Sequence, residues 1–386
     1  MKRRVYLDHL AGTPLAAEVR KAMRPFLEER FGSASSLHVH GLAAREAIDI
    51  AREQCAKLIN GTPEEILFTG SATEANNLAV KGVALSQRKQ GNHIVLSNIE
   101  HPSIDQSVVW LEDNGFTATR VAVNGEGCVA PNDIAEATTD RTVLIVTHHA
   151  SHDLGTVQDI PSIGEIAKAR RIPFLVDATA SGGWLPIDVQ APNISLLSLA
   201  PHRFHGPQGI GILYHNRRVP LTPQIHGGLQ EDGLRSGTEN IAAIAGAGAG
   251  AALAIPTHIS DLQLKLHEGL FTRIEHVRLN GPKPGARRLP TQLNYSIEHI
   301  EGEGLALALD LQGIAIASGA ACVTKNMAVP PALAAIGLDA VLAKGNVLLS
   351  LGRNTSADDI DHVLDIIPKQ VDKLRAMSPT WDTLKK

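Results

Sequence analysis

The chain has 386 residues, 44% of them hydrophobic, which is enough for one large core and a smaller second one. Charged residues make up 20% and the formal net charge is -4, so no basic excess exists to hold a nucleic-acid backbone. Cys55, Cys128 and Cys322 are odd in number and far apart, which argues against a disulfide framework or a Cys-x-x-Cys zinc site and fits a reducing, cytoplasmic compartment. The basic start Met1-Lys2-Arg3-Arg4 leads into no apolar segment, and the small-residue run 241–255 is too short for a bilayer and reads as a buried, closely packed helix.

Along the chain, strands alternate with helices, the pattern of a mostly parallel sheet covered on both faces. Residues 65–69 read as a strand and 74–87 as a helix; 93–97 and 103–114 repeat the pair. A buried strand at 142–147 is followed by a helix at 161–170 and a strand at 172–176 that ends at Asp177. Residues 194–198 and 209–214 add two more strands. From about Leu262 a long helix leads into short strands at 294–297 and 314–318, then helices at 331–336 and 356–374. The expected division is a large domain over 14–255 and a small α+β domain formed by 1–13 and 256–386.

Two local features point to a ligand. Gly70-Ser71-Ala72-Thr73-Glu74 turns from a strand into a helix and offers N–H groups and hydroxyls to an anion, although Ser and Thr also cap helices with no ligand present. Asp177 stands at the C-terminal end of a buried strand, where ligands of open α/β sheets collect, and a buried carboxylate there needs a cationic or donor partner. No Gly-x-Gly-x-x-Gly or Gly-Lys-Ser/Thr motif supports a dinucleotide or P-loop reading.

Taken together, the motifs resemble the cysteine desulfurases of the class V aminotransferase superfamily, the NifS/IscS type, over nearly the whole length. They run from Tyr6-Leu7-Asp8 through Phe68-Thr69-Gly70-Ser71-Ala72-Thr73-Glu74, Glu100-His101 and Val176-Asp177-Ala178-Thr179. They continue with His202, Gly206-Pro207, Arg235-Ser236-Gly237-Thr238, Ser318-Gly319-Ala320-Ala321-Cys322 and Ser350-Leu351-Gly352-Arg353. The resemblance implies the fold type I of pyridoxal-phosphate-dependent transferases: an α/β large domain with a mostly parallel seven-stranded sheet, plus a smaller α+β C-terminal domain that carries the Cys322 loop. It implies pyridoxal phosphate as cofactor, L-cysteine or a similar small molecule as substrate, and a homodimer. It also implies a sulfur-acceptor or iron–sulfur scaffold protein as partner, with no membrane and no direct nucleic-acid contact.

By position, Asp177 matches the partner of the pyridine nitrogen and His101 the histidine stacked on the ring. Ser71, Ala72, Thr73 and His202 match phosphate contacts, and Thr238 one supplied by the neighbouring subunit. Arg353 matches the ligand of the substrate carboxylate, and Cys322 the nucleophile that becomes a persulfide.

The chain departs from the family where its cofactor lysine should follow a histidine: the run here is Ala200-Pro201-His202-Arg203. A guanidinium, with a pKa above about 12, offers no neutral amine to an aldehyde. Three further departures adjoin it. Ala200 stands where the family has a serine, Ala180 where it has a glutamine, and His152 where it has an asparagine; Gly32-Ser33-Ala34 is a shortened loop. The leading expectation is therefore a desulfurase-like protein of sulfur or iron–sulfur metabolism with lost or altered cofactor chemistry, keeping Cys322 as a persulfide or cluster-ligand thiol. One alternative is an active desulfurase holding pyridoxal phosphate noncovalently. Another is a metal-binding protein built on the seventeen histidines, among them His38, His40, His148, His149, His152, His202 and His205.

Overall fold

The computed structural model describes residues 3–253, 258–319, 329–378 and 381. In chain order the strands are β1 (Val5–Tyr6), β2 (Ile66–Thr69), β3 (His93–Ser97), β4 (Thr117–Val121), β5 (Thr142–His148), β6 (Phe174–Asp177), β7 (Leu196–Leu199), β8 (Gly211–His215), β9 (Val277–Asn280), β10 (Gln292–Ile297), β11 (Ile314–Ala315), β12 (Ala317–Ser318) and β13 (Asn346–Ser350). The helices are α1 (Ala17–Glu28), α2 (Val39–Leu58), α3 (Ala72–Ser86), α4 (Pro102–Asp113), α5 (Pro131–Ala137), α6 (Ile160–Arg170), α7 (Ile241–Ala251), α8 (Ile259–Arg273), α9 (Gly302–Asp310), α10 (Pro331–Ala335), α11 (Ala340–Lys344) and α12 (Ala357–Ala376).

The large sheet has seven strands in the order β2-β8-β7-β6-β5-β3-β4. Only β8 runs against its neighbours β2 and β7; the other pairings are parallel. β5 reads Thr-Val-Leu-Ile-Val-Thr-His and is buried at every position, as expected of a parallel strand covered on both faces. Alternate residues feed two cores. Val95, Ile145, Val176 and Leu197 pack on one face, while Leu96, Leu144, Val146, Leu175 and Leu196 pack on the other. β2 points the same way as β7, so the C-terminal ends of β2, β3, β5, β6 and β7 share one edge. That edge receives the candidate site residues.

The small sheet is antiparallel, β12-β13-β10-β9. Leu293, Tyr295, Val347 and Leu349 form its core with Leu266 and Leu270 of α8 and Ile360, Val363 and Ile367 of α12. The N-terminal strand β1 pairs with β11, and Asp8 bridges to Ser350. The small-residue helix α7 lies against α1 and α2, and its glycines permit that approach: a Cβ at Gly248 would come 2.5 Å from Ala51 Cα. The expected domain boundary at 255/256 and the expected nucleophile Cys322 lie outside the described residues. Among the described residues, no helix is long and apolar enough to cross a membrane.

Candidate active site

Asp177 ends β6 and is 3% exposed. Its Oδ1 accepts the Thr179 N–H at 2.9 Å and the Ser198 hydroxyl at 3.3 Å, and its Oδ2 accepts Asn76 Nδ2 at 3.0 Å. Burial alone would raise its pKa. The neighbouring His101 and the hydrogen bonds from Thr179 and Asn76 outweigh burial and hold the carboxyl below its ordinary value. Three of about four lone-pair sites are filled, so Oδ2 keeps room for one more donor.

His101 caps α4, with Pro102 at the first helical position. Its Nδ1 lies 3.1 Å from the Ser103 N–H and 2.8 Å from the Ser103 hydroxyl. Asn76 Nδ2 donates to that hydroxyl oxygen at 2.9 Å, so the hydroxyl proton turns toward His101. Nδ1 is thereby an acceptor twice over, and the imidazole carries its hydrogen on Nε2. Burial, then His152 and Arg203, push this imidazole down to about 4, so it is neutral at pH 7. The single Asn76 amide serves both Asp177 and His101.

The anion turn follows β2. Ser71 caps α3 by accepting the Glu74 N–H at 3.1 Å, which leaves the Ala72 and Thr73 N–H groups as donors that the helix cannot satisfy. Ser71 and Ala72 are half-buried and Thr73 is exposed. Gly211 lets β8 pass beside the turn, since a Cβ there would lie 2.2 Å from the Ser71 carbonyl carbon. Glu74 holds the turn by accepting the Gly70 N–H at 2.8 Å and pairing with Arg235 Nε at 2.8 Å.

Arg235 belongs to the segment that leads to the exposed Thr238. Just before it, Glu231, Asp232 and Gly233 all have positive φ (48°, 57° and 76°), a costly run for two non-glycine residues. Glu231 is the anchor. Its carboxylate, 3% exposed, makes a bidentate pair with Arg52 at 2.8 and 2.9 Å and accepts the Phe68 N–H at 3.0 Å. Glu231→Ala would leave a half-buried guanidinium with only the Ile66 carbonyl, and a buried N–H without its partner. It is expected to cost about 2 kcal/mol, checked by urea unfolding.

β7 leads into the turn Pro201–Arg203. Burial, then Arg203, push His202 down to about 4. Trp184 Nε1 donates to the Arg203 carbonyl at 2.8 Å. Arg203 lines a small cavity with His9, Ala180, Trp184 and Ser350, so two of the positions read above as departures, Arg203 and Ala180, stand side by side. Ala200, another of them, is buried.

His152 stands edge-on to His101, with ring centroids 4.9 Å apart at 72°. Four successive carbonyls of its loop are claimed by the other lobe. Gln292 Nε2 takes that of His152 (2.7 Å), Asn294 Nδ2 that of Asp153 (2.8 Å), Arg288 Nη1 that of Leu154 (2.8 Å) and the Leu289 N–H that of Gly155 (2.7 Å). The Arg353 N–H reaches His205 Nε2 at 3.4 Å.

The histidines do not converge. His148 Nδ1 bonds Glu100 at 2.9 Å and its Nε2 accepts from Gln158 at 2.9 Å. His149 bonds Ser181, and His205 bonds the Pro14 carbonyl. His40 stacks on Phe31, and His38 stands edge-on to His40. Among the described residues, no group of three His, Cys, Asp or Glu side chains could hold a metal ion. Two lysines near the expected Cys322 and Arg353 segments could in principle replace the missing amine: Lys344 is exposed at the end of α11, and Lys325 is outside the described residues.

The sequence reading brought Asp177, His101, His152, His202 and the Ser71–Thr73 turn to one edge of the sheet. It missed Asn76, Ser103, Glu231 and the Arg288–Asn294 seam. Asn76 had one readable signal, an amide on a helix face otherwise built of Ala75, Leu78 and Ala79, because a buried polar group demands partners.

A mostly parallel seven-stranded sheet with a buried carboxylate and a capping histidine at its C-terminal edge defines a class, and residues 5–363 match the family described as Aminotransferase class-V. The chain belongs to that family. More particularly, it is 41% identical to a protein named cysteine desulfurase IscS from Clostridium botulinum, over 99% of this chain and 98% of that one. It is 40% identical to one of the same name from Methanosarcina thermophila, over 97% of this chain and 94% of that one. Among solved structures, a NifS-like protein superposes with a TM-score of 0.89 at 30% identity, covering 96% of this chain and 100% of the other. One described as SspA in complex with cysteine gives 0.82 at 34% identity, covering 92% and 100%. The expectation of lost cofactor chemistry finds no support in these relatives; the alternative of an active desulfurase fits them better.

Proposed function

We propose that this protein takes sulfur from L-cysteine as a cytoplasmic homodimer, with pyridoxal phosphate held by noncovalent contacts alone. The observation that carries this reading is Asp177, a fully buried carboxylate kept ionised and with one lone-pair site open, which suits a protonated pyridine nitrogen. The residues fit the group in other respects. The neutral His101 ring would lie on its face. The Ala72 and Thr73 N–H groups, Ser71, His202 and Thr238 of a second copy would take its phosphate. Arg203 cannot condense with its aldehyde.

Bound pyridoxal phosphate supplies an electron sink for charge developing on the substrate. The rest falls to the chain. Arg353 would grip the substrate carboxylate with a planar guanidinium. His101 presents an N–H at Nε2 and is a proton holder there. Cys322 would attack the substrate sulfur as a thiolate: an S–S bond forms, the C–S bond breaks, and protonation of the carbon leaves alanine. Thiol plus cysteine thus gives persulfide plus alanine, with no outside oxidant. An acceptor protein would then take the sulfur. The naming of one solved relative as a complex with cysteine supports the substrate class. Exposed Phe31, Leu37, Val39 and Leu229 (82%, 86%, 72% and 87%) support a covered face in a dimer.

The test is spectroscopic and chemical. Protein mixed with pyridoxal phosphate should bind it, lose it on dialysis, and yield no pyridoxyl-modified peptide after borohydride reduction. L-cysteine should then give sulfide and alanine. Asp177→Ala should weaken cofactor binding by more than about tenfold, the worth of one charge-assisted buried hydrogen bond. A second reading is a sulfur or iron–sulfur carrier without turnover, favoured by Arg203 beside Ala180. Absence of both cofactor binding and sulfide release would establish it against the first.

A further inference from the structure

Buried amides run in one direction from the His152 loop to the point where the chain leaves β12. The Asp153 carbonyl can only accept, so Asn294 must turn its Nδ2 toward it, at 2.8 Å. Asn294 Oδ1 then faces the other way and accepts Asn280 Nδ2 at 2.8 Å and Asn346 Nδ2 at 2.5 Å. The second Asn346 N–H goes to the Tyr295 carbonyl at 3.0 Å. Both protons of that amide are thus committed, and its orientation follows from the carbonyl at the start of the chain rather than from an arbitrary flip. Asn294 and Asn346 are each 2% exposed, and in so dry a place a polarised series of hydrogen bonds is strong and costly to break.

The outcome is an Asn346 Oδ1 with one fixed direction, and it lies against Gly319. β12 pairs Ala317 with Leu348 and Ser318 with Val347; one more step of the same register sets Gly319 opposite Asn346. Only glycine fits there, because a Cβ would lie 1.7 Å from Asn346 Oδ1. That oxygen is buried and, among the described residues, has no hydrogen-bond partner, an expensive state for a side-chain carbonyl. Three residues further on is Cys322.

We propose that Asn346 is a positioning residue for the thiol: it fixes where the chain leaves β12 at Gly319 and, through Asn294, ties that exit to the loop carrying His152. The His152 loop and the end of β12 would then be held in register through this series of amides. The inference rests on the reading of Cys322 as the working thiol.

The test uses the full chain without cofactor, so a failure of turnover leaves it intact. Iodoacetamide alkylation of Cys322 is followed by mass spectrometry with buried Cys55 as reference, and hydrogen exchange is read over residues 151–157. Asn346→Ala should raise the Cys322 rate by about threefold or more and speed exchange in the distant loop, by local opening without global unfolding. Gly319→Ala, which builds a methyl into Asn346, should also raise the Cys322 rate and serves alone if Asn346→Ala does not fold. Combined, the two should give no more than the larger single effect, because the methyl then meets no amide. Leu349→Val loosens the same strand on its opposite face, away from the amides, and should move neither readout. A Cys322 rate unchanged in both Asn346→Ala and Gly319→Ala, or Leu349→Val matching them, overturns the proposal.

Discussion

Between pH 7 and pH 5 the protein is expected to lose about 4 kcal/mol of stability, a large share of what a domain typically has. The cause is a set of histidines folded into neutral positions. Burial, seconded by His205, pushes His9 down to about 4; burial, seconded by His148, does the same to His149. His101 and His202 reach about 4 as well. Each has an ordinary value of 6.5 once unfolded. A depressed folded value means that the unfolded chain binds the extra proton first. The stability these groups contribute is therefore present above pH 6.5 and is lost as pH falls toward 4. Each contributes roughly 1–2 kcal/mol of that loss by pH 5, with half-buried His202 at the low end because solvent screens it.

His148 works the other way. Burial lowers its pKa, but Glu100 more than reverses this and raises it. The stability it adds is fully present below its unfolded value, so it offsets a small part of the loss. Urea unfolding at pH 7, 6 and 5, read by tryptophan fluorescence, measures the slope, and a variant with His149→Gln should show a shallower one. A midpoint that stays constant from pH 7 to pH 5 would refute the account.

What the sequence could and could not reveal follows the same division between apolar pattern and polar partnership. β3 and β5 announced themselves because a strand buried on both faces has an unbroken apolar centre, residues 94–96 and 143–146 here. α7 was legible because its alanines and glycines have no use on a surface. β4 (Thr-Ala-Thr-Arg-Val) and β9 (Val-Arg-Leu-Asn) are edge strands with exposed positions, and no continuous apolar run marked them. Asp177 and His101 were readable through motifs at strand ends. Their shared support was not, because Asn76 lies 101 positions before Asp177 in the chain and 27 before Ser103. The seam that holds the His152 loop has the same character. Gln292 and Asn294 find their carbonyls 140 and 141 positions away, a relation that no local pattern encodes.

Arg203→Lys is expected to give the cofactor a covalent tether while raising turnover little. A lysine following His202 would bring a condensable amine into this pocket, so borohydride reduction of the cofactor-loaded variant should now yield a pyridoxyl-modified peptide at residue 203. The guanidinium that lined the cavity beside Ala180 would be gone, and the Trp184 indole would still hold the residue's carbonyl, since that bond is to the backbone. Turnover is another matter. Ala180 and Ala200 remain methyl groups in buried positions, 4% and 1% exposed, where the resemblance places a glutamine facing the ring's phenolic oxygen and a serine facing the phosphate. A missing donor beside the reacting ring is worth roughly 10²–10³ in rate, a missing phosphate donor acts on cofactor binding instead, and one new amine supplies neither. Sulfide release in Arg203→Lys should therefore rise by less than about tenfold, while Arg203→Lys with Ala180→Gln and Ala200→Ser should exceed the single variant by about a hundredfold. If the single substitution matched the triple one, the cluster of departures around Arg203 would have no bearing on catalysis. The noncovalent cradle of Asp177, His101 and the Ser71–Thr73 turn would then need only a tether to be complete.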